Sequence, residues 1–322
     1  MTEIVSKNAS VVPTGKSGFS LLKMIGADRT LTLLLTAAQV LTGVSANGLI
    51  VTVNAIGLIK QRKIAALDLL LSCLAISRIF LQLDMVFFLM IIFSGKEFII
   101  PATIVIILFT NELGLWFATW LSVFYCTKIA SIPHWLFLWL KMRISRLVPW
   151  LIVGSLFHSA ITSAIYSQHA WAISKGILFN FLLKNATQIN EKETYVMPIF
   201  FIASLTLPFL IFLTAVALLI FFLVKHSLRM RMMATGAGSP GQSAHTSAVL
   251  SILSFLVLHF SHYMVAICFC TQKYQIGSLS FLLCMLLAVV YPSIHSIILI
   301  FVNPKLKQNA KTLLLGLCKG CQ

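Results

Sequence analysis

Four charged side chains interrupt otherwise apolar stretches of this 322-residue chain: Asp68, Arg78, Asp84 and Glu112. Arg78 is the most informative of them, because it lies near the middle of an apolar run at residues 64–93. A charge at the centre of a membrane helix costs about 2.5–3.5 kcal/mol on insertion scales. It persists where neighbouring helices supply hydrogen-bond partners. Arg78 therefore predicts a helix bundle with a polar interior.

Three histidines have a spacing that could bind a metal ion. His259 and His262 are three residues apart and would share one helix face, and His295 lies in the next apolar run. Interhelical hydrogen bonding is the alternative that we favour, so we predict no metal and no cofactor. The sequence contains no Gly-x-Ser-x-Gly or His-Glu-x-x-His motif, and we do not predict an enzyme.

The elements that must position these residues are membrane helices. The chain is 59% hydrophobic and 10% charged, whereas about a quarter of the residues in soluble domains are charged. Each of seven apolar runs can cross about 30 Å of hydrocarbon: 31–59, 64–93, 98–126, 147–168, 196–224, 247–270 and 278–302. We predict an all-α membrane protein, a seven-transmembrane helix bundle over residues 31–302.

Basic residues are distributed unequally between the polar segments. One set of segments carries Lys and Arg but no Asp or Glu: 60–63, 127–146, 225–246 and 303–322. The other polar segments carry both signs. Because basic loops remain in the cytoplasm, we expect residues 1–30 outside the cell and the tail 303–322 inside, in the plasma membrane. This distribution explains the net charge of +16 without nucleic-acid binding.

Covalent modification is predicted on both sides of the membrane. The two glycosylation sequons, at Asn8 and Asn185, both fall on the external side. Cys318 and Cys321 lie in the basic tail and are candidates for palmitoylation. Met24 is an alternative translation start, a few residues before the first apolar run.

An odd number of spans with short basic inner loops is typical of a G-protein-coupled receptor. In such a receptor, an external agonist favours one arrangement of the bundle, and that arrangement favours a cytoplasmic partner. A transporter or channel that uses the four charged residues as a permeation path is the main alternative. Many transporters are built from repeats, and this sequence shows none. Another type of heptahelical chemosensory receptor is the second alternative.

Short motifs in five of the spans and in the tail are shared with a known family. In chain order they are Leu74-Ala75-Ile76-Ser77-Arg78, Phe124-Tyr125-Cys126-Thr127-Lys128, Leu207-Pro208-Phe209, Ser254-Phe255-Leu256, Tyr291-Pro292-Ser293-Ile294-His295-Ser296 and Asn303-Pro304-Lys305-Leu306-Lys307-Gln308. Together they resemble the bitter taste receptors, the type 2 taste receptor family, from about residue 24 to residue 322. The Asn-Pro-x-x-Tyr motif of rhodopsin-type receptors is absent from the last span.

The resemblance implies what the protein binds and activates. Its ligands would be bitter small molecules, and its partner would be gustducin or a related heterotrimeric G protein. Phospholipase C and calcium signalling would follow, in taste cells and in chemosensing in gut and airway. Membrane lipids surround such a receptor, and homo- or hetero-oligomers remain open.

Carried over by position, the resemblance also implies three groups of residues. The inner hydrogen-bond network would be Asn47, Arg78, His295 and Ser296. The end facing the G protein would hold Tyr125, Lys128, Lys141, His226 and His245. The ligand site would hold Phe88, Leu89, Asn111, Glu112, Leu115, His262 and Met285.

Three residues affect the expected polarity and geometry of this ligand site. Some members of the family use a Glu where this chain has Met285, so the site should be more apolar there. Asn111 and Glu112 are about 100° apart around a helix, so both need not face a ligand. Bonding from Glu112 to another helix is the alternative to a ligand role.

Overall fold

The structure is a computed structural model that describes residues 15–94, 99–130, 132–182, 191–233, 240–270 and 279–320. The described residues form eight helices and no strand. The helices are α1 (Gly15–Gln61), α2 (Ala66–Ser94), α3 (Ile100–Ile129), α4 (Trp135–Leu182), α5 (Glu191–Met233), α6 (Pro240–Cys270), α7 (Leu279–Val302) and α8 (Pro304–Gly320). Every predicted span coincides with one helix or lies within it, to within two residues at the boundaries.

Helices α1 to α7 close into a ring. α1 packs against both α2 and α7, α5 packs against α6, and α6 packs against α7. α3 contacts α2, α4 and α5 and is the central helix. It is buried almost continuously from Thr110 to Thr119, which explains why polar residues of α3 must find partners on other helices.

Five helices contain a stretch that is long and apolar enough to cross a membrane. They are α1 to α5, through Leu34–Gln61, Ala66–Ile91, Ile100–Ile129, Phe137–Ser167 and Ile202–Lys225. The bent pair of α7 and α8 brings the number to six among the described residues, and the apolar part of α6, Ile252–Cys268, is shorter. The chain is therefore a multi-pass membrane protein, while the assignment of seven spans to 31–302 stays a prediction.

The distribution of side chains is the reverse of that in a soluble domain. Large apolar residues such as Phe80, Met90 and Phe157 are exposed on the outer surface. Polar residues such as Asn47 and Gln82 are fully buried. Exposed apolar surface on this scale fits a hydrocarbon environment, in which polar groups must be satisfied between helices.

Hydroxyl side chains approach the carbonyl groups of two prolines inside the helices. Pro292 lies inside α7, and the Ser296 hydroxyl one turn later lies 2.8 Å from the Pro292 carbonyl. The Thr119 hydroxyl of α3 lies 3.0 Å from the Pro208 carbonyl of α5. The contact between Thr119 and Pro208 joins two helices, as polar side chains inside a membrane bundle must.

The tail forms a helix that the sequence analysis did not predict. α8 bends by 92° from α7. The Asn303 side chain caps it by accepting hydrogen bonds from the backbone N–H groups of Lys305 and Leu306, at 3.1 and 3.3 Å. Lys305 also forms an ion pair with Asp68 at the start of α2. An Asn followed by Pro and an apolar residue every three or four positions was the available signal.

Candidate functional site

Arg78 reaches across the ring to α7. Its side chain is 2% exposed, and Nη1 donates to the Ser296 hydroxyl at 3.1 Å. Ser296 in turn donates to Oδ1 of Asn47 at 2.6 Å, so one hydroxyl joins α1, α2 and α7. The structure thus brings together three of the four residues expected in the inner network. Neighbouring helices shelter Arg78 from lipid and supply a neutral hydrogen-bond acceptor for Nη1.

Tyr291 is the centre of a buried cluster of polar rings. Its hydroxyl lies 3.0 Å from Nδ1 of His259, and its ring stacks on His262 with centroids 4.5 Å apart. His295 stacks on the same ring at 5.7 Å, and the Arg78 guanidinium carbon lies 5.6 Å from its centroid. His295, the fourth expected network residue, is thus next to Tyr291. The three histidines pack around a phenol, and no metal-binding group is found among the described residues.

A second hydrogen bond between α2 and α7 was missed by the sequence analysis. Gln82 lies one turn after Arg78 on α2, and its amide donates to the Ser293 hydroxyl at 2.8 Å. Gly43 of α1 packs directly against this pair, because a Cβ there would overlap the Ser293 hydroxyl and the Gln82 amide. The four-residue spacing from Arg78 was the signal that could have identified Gln82, since residues four apart share a helix face.

Asn111 and His262 connect α3 to α6. Nε2 of His262 and Oδ1 of Asn111 are 2.7 Å apart, and both side chains are buried. An amide oxygen can only accept a hydrogen bond, so Nε2 of His262 carries the proton and is the donor. These two members of the expected ligand site are therefore in direct contact, beside the Tyr291 ring.

Glu112 points toward a different helix. Its carboxylate is fully buried, and Oε1 lies 2.7 Å from Nδ1 of His158 on α4. The approach is that of an ion pair, formed when His158 is protonated, rather than of a well-aligned hydrogen bond. The Trp116 ring packs edge-on against His158 at 5.3 Å. This placement favours helix-to-helix bonding, the alternative that the sequence left open, over contact with the Asn111 group.

We expect His158→Leu alone to destabilise the protein by about 2 kcal/mol, because it leaves the fully buried Glu112 carboxylate without its partner, whereas His158 itself is partly exposed. The double variant Glu112→Leu with His158→Leu should recover most of that loss. Thermal unfolding of the purified receptor in detergent measures both, with Ser261→Ala on the exposed face of α6 as the control. Additive losses would contradict the pairing of Glu112 with His158. Agonist responses that change in the double variant but not in His158→Leu would return Glu112 to the ligand site.

The apolar residues of the expected ligand site fall into separate groups. Phe88 belongs to a buried cluster that reaches Val265 of α6 and Ala288 of α7. Leu115 packs in another cluster with Tyr166 and Leu205. Leu89 is buried on α2. The side chain of Met285 lies outside the described part of the chain, and the ligand role of all these residues stays a prediction.

The residues expected to face the G protein are partly described. Lys128 is exposed at the end of α3, and its Nζ lies over the Phe124 ring at 5.7 Å. Tyr125 is half-buried beside it. Lys141 donates to the Ala130 carbonyl at 3.1 Å and so fixes the start of α4 to the α3–α4 connection. This contact gives Lys141 a structural role in addition to the expected one.

Several expected sites lie outside the described residues or side chains. These are the side chains of His226, His245 and Cys318, and the whole of Asn8, Asn185 and Cys321. Their predicted roles in G-protein contact, glycosylation and palmitoylation stay predictions.

The fold and the buried network define an all-α multi-pass membrane protein with the helix ring of a heptahelical receptor. A family model described as Taste receptor protein (TAS2R) matches residues 24–318. Taste receptor type 2 member 119 of Mus musculus is 51% identical over 290 residues, which cover 90% of this chain and 86% of that protein. Taste receptor type 2 member 1 of Pan troglodytes is 51% identical over 291 residues, or 90% and 97%. Taste receptor type 2 member 39 of Papio hamadryas is 34% identical over 296 residues, or 88% and 86%.

The chain belongs to the type 2 taste receptor family. The recognised resemblance and the predicted fold class, an all-α bundle of G-protein-coupled receptor type, are confirmed. The family consists of receptors, which agrees with the prediction that this chain is not an enzyme.

Proposed function

We propose that this chain is a plasma-membrane receptor that binds bitter small molecules and activates a gustducin-type heterotrimeric G protein. Agonists bind in the half of the bundle opposite α8, near Asn111 and His262. The G protein binds at the α8 end, and activation leads to phospholipase C and calcium signalling. The N-terminus is external and the C-terminus cytoplasmic, with residues 31–302 forming seven spans. Membership of a family of bitter taste receptors supports this proposal.

One observation supports the mechanism more than any other: buried polar contacts continue without interruption from Asn111 to Asn47. Asn111 bonds His262, and His262 stacks on Tyr291. Tyr291 lies against Arg78, and Arg78 bonds Ser296, which bonds Asn47. Five helices contribute residues to this pathway: α1, α2, α3, α6 and α7. Contiguous packed networks of this kind can carry coupling between two sites.

An agonist could act on this pathway at its first contact. A polar agonist group that bonds His262 or Asn111 competes with the bond between them, which changes how α3 and α6 pack. Tyr291 is held by both His262 and His259, so a shift of α6 moves the ring that lies against Arg78. The agonist then favours whichever arrangement of the bundle it binds better.

The α8 end offers a cationic surface to a partner. Lys128 and Arg146 are exposed there, and the described residues of the α3–α4 connection carry no carboxylate. Cationic rims of this kind complement acidic surfaces and accelerate encounter. The Asp68 carboxylate at this end is already paired with Lys305, so it does not offset the surface charge.

We expect His262→Phe to raise the half-maximal agonist concentration by about tenfold, equivalent to about 1.4 kcal/mol. Phe keeps the stacking on Tyr291 but cannot donate to the agonist, so one of the two polar contacts proposed for the agonist is lost. It also cannot donate to Asn111, which leaves a buried amide oxygen without its partner and should lower surface protein. Calcium imaging in cells that co-express a gustducin-type chimeric α subunit measures the shift, after a panel of bitter compounds has identified an agonist.

The double variant Asn111→Leu with His262→Phe separates folding from agonist recognition. Removing both partners should restore surface protein while agonist sensitivity stays reduced. Ser261→Ala, a neighbour on the exposed face of α6, is the matched control and should respond like wild type. Wild-type dose–response curves in His262→Phe across several agonists would place the ligand elsewhere.

A further inference from the structure

The positive charge of Arg78 has no acidic partner among the residues whose side chains are described. Arg78 is 2% exposed, and the acceptors beside it are the neutral hydroxyls of Ser296 and Tyr291. Its Nε and Nη2 atoms are buried and donate to no described acceptor. Arginine keeps its charge in proteins, and a buried charge without compensation costs several kcal/mol. The charge therefore needs a compensating group.

The described carboxylates inside the bundle are all engaged elsewhere. Asp68 pairs with Lys305 at the start of α8. Asp84 accepts a hydrogen bond from Thr110 at 3.2 Å, and Glu112 faces His158 on α4. None of the three lies within salt-bridge distance of Arg78. The compensating charge must come from outside this set of side chains.

The groups around Arg78 carry no negative charge. His259 and His295 pack against the Tyr291 ring beside it, and each has a buried ring nitrogen, Nε2 and Nδ1 respectively, without a described partner. If the Tyr291 hydroxyl donates to Nδ1 of His259, then Nε2 of that histidine carries a proton and becomes another unused donor. Phe255 covers His295 with ring centroids 4.2 Å apart, which excludes water from that side. Arg78, His259 and His295 thus all contact Tyr291, and each has at least one buried nitrogen without a described partner.

We propose that this region, bounded by Arg78, His259, Tyr291 and His295, binds a monovalent inorganic anion, with chloride as the physiological ligand. One negative charge balances the single guanidinium, and a halide accepts several N–H donors without requiring a fixed geometry. Ring edges, which carry partial positive charge, complete such a shell. A phosphate or sulfate would bring a second charge that no described side chain in this region matches.

Melting of the purified full-length receptor in detergent tests the site. Sodium chloride replaces sodium gluconate stepwise at constant sodium concentration, with sodium bromide as a second halide. We expect chloride and bromide each to raise the apparent melting temperature saturably, by about 4 °C or more at saturation, because a ligand of the native state stabilises it. Equal melting temperatures in chloride and gluconate over the whole range would overturn the proposal.

Three variants locate the effect. Arg78→Gln should remove the chloride dependence, and His259→Phe, which keeps a ring against Phe209 and Phe212, should raise the half-saturating chloride concentration at least threefold. Lys311→Gln, on the exposed face of α8, should behave like wild type. If Arg78→Gln yields no folded protein, His259→Phe decides. A wild-type chloride response in His259→Phe, or one lost in Lys311→Gln, would overturn the site.

Discussion

Replacing Arg78 by alanine should abolish calcium responses to every agonist, whatever its chemistry. The guanidinium joins the Tyr291 cluster to the Ser296–Asn47 pair, so its removal disconnects the agonist half of the bundle from the α8 half. Removal of a large buried side chain also leaves a cavity, which costs about 2–5 kcal/mol. We therefore expect surface protein to fall several-fold as well, since 1–2 kcal/mol already changes abundance in cells.

Arg78→Met distinguishes loss of packing from loss of hydrogen bonding. Met fills much of the same volume without the donors, so surface protein should recover while the calcium response stays absent. Ser261→Ala, on the exposed face of α6, is the control and should resemble wild type. Normal agonist responses in Arg78→Met would show that the guanidinium is not part of the coupling between the two halves.

Gly43→Leu should prevent the protein from reaching the cell surface. Gly43 is buried where α1 meets α2 and α7, and even a methyl group there would come within 2.6 Å of Oε1 of Gln82. The amide cannot swing away freely, because it is buried and bonded to Ser293 at 2.8 Å. Small residues at such crossings let helix backbones approach closely, so overpacking there forces the three helices apart.

Gly48 provides a matched control on the same helix. A Cβ at Gly48 meets nothing within 4 Å, so Gly48→Leu should reach the surface normally. Gly43→Ala should be intermediate, and adding Gln82→Ala should improve its surface level by making room. Immunodetection of an external epitope on intact cells measures all four variants. Equal surface levels for Gly43→Leu and Gly48→Leu would contradict the packing described for α1.

Hydropathy was sufficient to locate the helices but not their ends. Residues 135–146 are basic and aromatic, so charge placed them in a loop, yet α4 already begins at Trp135. No residue in that stretch interrupts a helix. The stretch is less hydrophobic than the spans, but its residues still favour a helix. α8 was missed for a related reason: its amphipathic pattern is too short to register as an apolar run.

The residues of the site could be predicted only in part. A charge buried in the membrane needs partners, and the family resemblance named Ser296 and Asn47 as the partners of Arg78. In the structure Ser296 bonds both Arg78 and Asn47. Tyr291 was quoted in a motif without a role, because its position between Arg78 and His262 depends on how α6 and α7 pack. Single-sequence periodicity gives the face of each helix but not which faces meet.

The most direct test of the proposed function uses purified receptor reconstituted in liposomes with a gustducin-type G protein. An agonist found by calcium imaging should accelerate guanine-nucleotide exchange saturably, with the same order of potency as in cells, and should cause no flux of solute across the bilayer. Arg78→Met should bind the agonist without accelerating exchange. Saturable agonist binding with exchange at the unliganded rate, or solute flux without any G protein, would contradict a receptor and favour a transporter or channel.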